Sequence, residues 1–203
     1  GYIWTGLDES GKDTYQDMDN SGTIDGSDRR VIGKATPDFT VGWNNTLTYK
    51  NWDLNLFFNG AFGADRLNLA RFTMASMVGD SRFITLREAY TDNFDKVGQS
   101  AIYPGLKVAG NNYQAVSTKW VEDASYVRLE NISLSYNLSK KVTKFADIRL
   151  TLSCQNLFTI TGYKGMDPVG TTFSNDNVDV DAGIDMGAYP TPRTFTFGVR
   201  MNF

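Results

Sequence analysis

Residues 193–203 read Arg-Thr-Phe-Thr-Phe-Gly-Val-Arg-Met-Asn-Phe, and their alternation decides the fold. Phe195, Phe197, Val199, Met201 and Phe203 are apolar, with Thr194, Thr196, Gly198, Arg200 and Asn202 between them. A period of two belongs to a strand with one apolar and one polar face. About ten residues is also what a tilted strand needs to cross a bilayer's hydrocarbon core. A strand ending on Phe203 suits a barrel whose last strand seals against its first.

The same parity logic identifies a hairpin. Phe39, Val41, Trp43, Leu47 and Tyr49 are odd-numbered, with Asn45 the one polar intruder; after Lys50-Asn51 the apolar set becomes Trp52, Leu54, Leu56, Phe58 and Phe62. A two-residue loop pairs 49 with 52, 43 with 58 and 39 with 62, which puts both apolar sets on one face. A helix has no reason to change parity at that point.

Further strands follow around Ser125–Leu138 and from Ile148 to Cys154, and a short aromatic-rich one opens the chain at Gly1–Leu7. Arg128 and Glu130 fall on the apolar parity, so that face is expected to end near residue 131. Residues 63–124 lose the alternation, with short helices expected over Asp65–Met77 and Thr85–Tyr90. Six strands result, joined by alternating long and short connections at 8–37, 50–51, 63–124, 139–145 and 158–192. Outer-membrane barrels have this pattern, with long loops outside and short periplasmic turns. All five prolines fall in the long connections. Six strands cannot enclose a lumen, so partners for the first are expected upstream. Gly1-Tyr2-Ile3-Trp4 reads as the middle of a strand, so the chain is expected to be the C-terminal part of something longer.

Composition narrows the function classes. Twenty Lys and Arg against 23 Asp and Glu leave no basic footprint for nucleic acid. The absence of histidine removes Ser-His-Asp, Cys-His and His-ligated zinc chemistry, and no carboxylate or Ser-Lys pair stands out, so no enzyme is expected. Cys154 is the lone cysteine and reads as a small apolar residue. Lys140, Lys141 and Lys144 in a short turn read as a solvated periplasmic cap.

Asp17-Met18-Asp19-Asn20-Ser21-Gly22-Thr23-Ile24-Asp25-Gly26-Ser27-Asp28 has the spacing of an EF-hand calcium loop. Oxygen-bearing residues stand at loop positions 1, 3, 5, 9 and 12, with Gly22 at the sharp turn and Ile24 at the apolar eighth position. A hard cation needs six to eight oxygens, and alternate side chains of a tight loop converge on one point. The expected ligands are Asp17, Asp19, Ser21, Asp25 and Asp28, with the carbonyl of Thr23. Ser21 replaces the usual Asp or Asn, and Asp28 the usual bidentate Glu; no amphipathic helices flank the loop.

Five stretches resemble the SusC/RagA-like TonB-linked outer-membrane transporters of Gram-negative bacteria: YQDMDNSGTIDGSDRRVIG, YKNWDLNLFFNGAFG, WVEDASYVRLENISLSYNLS, LTLSCQNLFTITGYKGMDP and GIDMGAYPTPRTFTFGVRMNF. The resemblance covers nearly the whole chain. It implies an all-β fold in which residues 1–203 are the C-terminal six strands of a large, 22-stranded antiparallel barrel with long extracellular loops, its plug and earlier strands lying outside this sequence. It implies a SusD-like surface lipoprotein over the loops, energy from the TonB complex, and import of oligosaccharides or peptides across the outer membrane. The calcium-like loop lies in the outward connection 8–37, where millimolar calcium fills even a weak site.

Under this reading Trp120, Tyr113, Asn111 and Asn112 are candidate substrate contacts: aromatics meet the apolar CH faces of sugars and amides serve hydroxyls. Each has a plainer reading as a loop-packing residue. The Asp-rich stretch 158–192 reads as solvated surface, with a second cation site as the sharper alternative. The competing fold is a soluble calcium-stabilised β-sandwich, such as an adhesion module, which needs a second sheet over the apolar faces.

Overall fold

The computed structural model describes residues 1–75, 86–105, 115–170 and 183–203. In chain order its elements are β1 (Trp4–Leu7), β2 (Asp13–Tyr15), β3 (Phe39–Tyr49), β4 (Trp52–Phe62), β5 (Asp65–Asn68), α1 (Leu69–Ala75), α2 (Arg87–Thr91), α3 (Phe94–Val97), β6 (Val121–Asp123), β7 (Tyr126–Leu138), α4 (Lys140–Thr143), β8 (Asp147–Thr161), β9 (Ile184–Asp185) and β10 (Thr194–Asn202). Five of the strands form one sheet in the order β10-β8-β7-β4-β3, antiparallel throughout.

The hairpin β3–β4 has the register that parity requires, with Tyr49 opposite Trp52, Trp43 opposite Phe58 and Phe39 opposite Phe62. Lys50 takes a left-handed φ of 54° in the two-residue turn. The facing rings stack, with centroids 5.4 Å apart for Trp43–Phe58 and 4.9 Å for Phe39–Phe62. Such facing pairs add stabilisation beyond the area they bury.

The register lines up whole rows across the sheet. Leu47, Leu54, Leu134, Leu152 and Phe197 share one row of the apolar face; Thr46, Asn55, Ser133, Ser153 and Thr196 share one of the polar face. No second sheet covers the apolar side among the described residues: Phe197 is 67% exposed, Leu152 56% and Trp43 54%. That disposes of the sandwich, whose apolar faces would be hidden. Ten residue steps from Tyr49 to Phe39, along a strand tilted as in a barrel, span about 25 Å of membrane normal, the height of an outer-membrane barrel's apolar band. Tyr49, Trp52 and Tyr136 mark the short-turn end, the last two with ring centroids 4.6 Å apart.

The apolar face does not end near residue 131. A bulge intervenes: Phe57 and Phe58 are adjacent on β4 but face Asn131 and Leu129, leaving Glu130 as an extra residue. On β8 the matching partners are Gln155 and Phe158, and Asn156 between them has φ 52°. An inserted residue reverses the parity beyond it. Leu129, Val127, Phe158 and Ile160 therefore continue the apolar rows, Arg128 turns to the polar side, and β8 runs on to Thr161.

Trp4–Leu7 is also not a wall strand. It is only four residues long and pairs with Asp13–Tyr15 in a separate ribbon, so among the described residues five strands build the sheet. The Trp4 indole Nε1 donates to Asp13 Oδ1 at 2.6 Å, an attachment across the ribbon and not to lipid. The ribbon lies in the outward part of the chain with a second small sheet, β6-β5-β9. Helix α2 begins at Arg87 within the stretch expected to be helical; Asp65–Asn68 is strand, and α1 takes over at Leu69. Ala75, Ala89, Tyr103 and Trp120 form a buried cluster here, packed by Leu67, Phe72 and Leu86.

Candidate functional site

The loop 17–28 follows β2 directly, and its backbone folds inward on its own carboxylates. Gly22, at φ 82°, lets its N–H reach Asp17 Oδ2 at 2.8 Å, while the Ser21 N–H donates to Asp19 Oδ1 at 3.0 Å. Asp28 is wholly buried; its oxygens accept the N–H groups of Met18 at 2.7 Å and Asp25 at 2.8 Å. Asp17, Asp19 and Asp28 each bring a carboxylate oxygen within 4.8 Å of the others, and among the described residues no other three acidic groups converge so closely. The Gly22 N–H, aided by neighbouring backbone donors, holds the Asp17 carboxyl below its ordinary range, so it stays ionised.

The other expected ligands stand aside. Asp25 caps the single turn Gly26–Asp28, accepting from the Ser27 N–H at 2.7 Å. The Ser21 hydroxyl donates to the Thr23 carbonyl at 3.0 Å. The donor set is hard oxygen throughout, which fits calcium and not a soft metal.

Trp120 is not available to a substrate. Only 2% of it is exposed, because its ring packs edge-on against Phe72 at 5.4 Å inside the loop core. Asn111, Asn112 and Tyr113 lie outside the described residues. A cavity of about 640 Å³ opens beside this core, lined by Met74, Leu86, Met166 and Met186 with Arg87 and Lys164 among its polar groups.

Two buried ion pairs, not anticipated from sequence, fasten the long connections. Lys119 Nζ donates to Asp13 Oδ1 at 2.7 Å, and the rings of Trp4 and Trp120 lie 5.0 and 5.1 Å from the ammonium. Burial pushes the Asp13 carboxyl up and the Lys119 ammonium down, each against the pull of its partner. Arg128 Nη2 donates to Asp167 Oδ1 at 2.7 Å, and Thr191 N–H and Val169 N–H donate to the same carboxylate at 3.0 and 2.9 Å. Burial opposes ionisation of Asp167, yet these donors bring its pKa down to about 2. Asp185 accepts the Tyr163 hydroxyl at 2.6 Å and two backbone N–H groups. These two acids of the Asp-rich stretch thus hold loops; Asp176, Asp179 and Asp181 lie outside the described residues.

The polar face is built from amides and hydroxyls. Asn55 Nδ2 donates to Thr46 Oγ1 at 2.8 Å and Asn44 Oδ1 at 3.2 Å, and the Ser135 and Thr151 hydroxyls meet at 2.9 Å. Charge appears towards the short-turn end, where Arg149 pairs with Asp53 at 3.1 Å.

No family model matches the chain. It is 36% identical over 206 residues to TonB-dependent receptor P3 of Formosa agariphila, covering 98% of this chain and 20% of that protein. It is 28% identical over 204 residues to TonB-dependent receptor SusC of Bacteroides thetaiotaomicron, covering 97% and 18%. Among solved structures, the RagAB peptide transporter matches with a TM-score of 0.78 at 22% identity, over all of this chain and 22% of that one. The RagAB peptide importer in its "open-open" state matches at 0.79 and 20% identity. The chain spans about a fifth of the length of the curated relatives it matches.

Proposed function

Because this chain belongs to the SusC/RagA-like family of TonB-dependent receptors of the outer membrane, we propose that it forms wall and outer loops of a TonB-energised importer of oligosaccharides or peptides. The observation that carries this reading is the two-faced sheet, with an apolar band for lipid on one side and a polar face on the other whose middle rows are amides and hydroxyls. A water-filled passage needs the second as much as the membrane needs the first. Rows of Asn, Ser and Thr suit a cargo rich in hydroxyl groups, which favours a glycan. A peptide is the second reading, supported by the similarity of fold to a peptide transporter.

The long connections are the face for a SusD-like lipoprotein, and contact with the TonB complex falls to the part of the receptor outside this sequence. Asn111, Asn112 and Tyr113 remain the proposed substrate contacts. Asp17, Asp19 and Asp28 are the proposed core of a calcium site, which would hold the loop 8–37 in one shape for the partner. No catalytic step is assigned to this chain.

The test is growth of a strain lacking the receptor on a panel of glycans and peptides, with uptake of the labelled cargo measured after complementation. Loss on one cargo class, restored by the receptor, is expected. Unimpaired growth and uptake on every class would overturn the import reading.

A further inference from the structure

We propose that the turn 139–146, between β7 and β8, binds the headgroups of anionic phospholipids in the leaflet at the short-turn end of the wall. Lys140, Lys141 and Lys144 are all exposed there, and none has a carboxylate within 4.0 Å among the described residues. Asp147, the nearest acid in sequence, directs one oxygen to the Lys140 backbone N–H at 2.5 Å.

Between the lysines stand Val142, 66% exposed, and Phe145, 55% exposed. A cap made only for water has no use for these two side chains. A surface lying at the boundary of hydrocarbon and headgroups does, since lysine stems can lie along apolar chains while their ammonium groups reach phosphate.

Position in the sheet supports that level. The turn leaves β7 only two residues beyond Tyr136, whose ring meets Trp52, and aromatic pairs of this kind sit at the membrane–water boundary. Lys50, in the neighbouring turn, holds its ammonium 5.2 Å from the Tyr49 ring centroid and adds a further lysine at this end. Nor does the exposure arise from an open edge, because β4 flanks β7 and β10 flanks β8. The turn is also preformed: Lys144 takes a left-handed φ of 70° and its N–H closes on the Lys140 carbonyl at 2.9 Å. The Thr143 hydroxyl and the Ala146 carbonyl are joined by a further hydrogen bond. Three cations without a carboxylate partner among the described residues, on a fixed frame beside apolar side chains, match a negatively charged lipid surface.

This inference rests on the outer-membrane placement and not on the cargo. Full-length receptor is placed in bilayer discs of phosphatidylethanolamine with and without phosphatidylglycerol, and co-purifying lipid is measured. Wild type is expected to enrich phosphatidylglycerol. Lys140→Gln, Lys141→Gln and Lys144→Gln should lower the constant for exchange of phosphatidylethanolamine by phosphatidylglycerol by up to about fivefold for each lysine removed. Arginine at the same positions should retain it, and Val142→Ser with Phe145→Ser should weaken retention of both lipids. Equal enrichment by wild type and the triple Gln variant overturns the proposal. So does an equal loss with Arg and Gln, which would mean a lysine-specific contact with a protein. Cargo uptake is read in parallel, so failure of the import reading leaves this result interpretable.

Discussion

Asp13 and Lys119 lie 106 residues apart and meet at 2.7 Å with both side chains almost wholly excluded from water. One belongs to the ribbon that leads into the acidic loop, the other to the turn that carries Trp120 into the loop core. The ion pair adds to the backbone contacts between these segments, where the Thr118 N–H donates to the Tyr2 carbonyl at 3.0 Å and the Tyr2 N–H to the Val116 carbonyl at 2.9 Å. Asp13 Oδ2 is buried without a hydrogen-bond partner, in keeping with the upward push on its carboxyl.

A pair of this kind stabilises little against its own desolvation but is costly to halve. Asp13→Leu or Lys119→Met alone should destabilise the outer loops by about 3–5 kcal/mol, whereas the double variant Asp13→Leu/Lys119→Met should come close to neutral. Limited proteolysis of wild type and the three variants in the intact receptor measures the cycle. Additive losses would contradict it.

Acid should release the Asp-rich connection. The folded pKa of Asp167 is about 2 against an ordinary 3.8. Its lowered value means that its contribution is present above about pH 4 and is lost as the pH falls towards 2. That difference corresponds to about 2 kcal/mol. The protection factors of the Val169 and Thr191 amides, taken against the intrinsic exchange rate at each pH, should fall over this window in wild type, and Asp167→Asn should show low protection already at neutral pH.

Charge placed on the apolar face should cost according to depth. Ile132 faces Leu56 and Cys154 near the middle of the band, whereas Ile160 lies towards its outer margin. Ile132→Arg is expected to lower barrel stability by about 2–4 kcal/mol and Ile160→Arg by about 0–1 kcal/mol. Refolding titrations of the full receptor into lipid give both values, and equal costs would contradict the placement of the band.

Calcium should protect the loop 8–37 from protease, and a chelator should remove that protection. Asp19→Asn removes one converging carboxylate without touching the buried Asp28, so it should weaken the calcium effect at least tenfold while the apo loop cleaves at the wild-type rate. A site of this ligand charge, exposed to the exterior, is expected to fill between micromolar and millimolar calcium.

The wall was legible wherever strict alternation lasted. The parity change across Lys50-Asn51 gave the hairpin register, and residues 193–203 gave the lipid face. Glu130 was the obstacle: one inserted residue exchanges the two faces, and without a partner strand to count against, Arg128 reads as the end of the apolar rows. Trp4–Leu7 has strand composition but is too short for a membrane crossing, and its partner Asp13–Tyr15 is shorter still. Trp120 looked available because it sits among loop residues, where sequence carries no sign of a buried cluster built from Ala75, Ala89 and Tyr103. The pairs Asp13–Lys119 and Arg128–Asp167 join distant segments, and no local pattern announces such contacts. The loop 17–28 was legible in spacing, but the turning of Asp25 into a cap depends on backbone geometry.

Within the described sheet, β3 and β10 each have a neighbour on one flank only. Along the other flank a row of amides and carbonyls awaits partners, and oil offers them none. These residues produced by themselves should therefore not dissolve into a bilayer as a stable unit. They should stick edge to edge, and the yield of folded material in any heterologous preparation will depend on supplying the remaining staves at the same time.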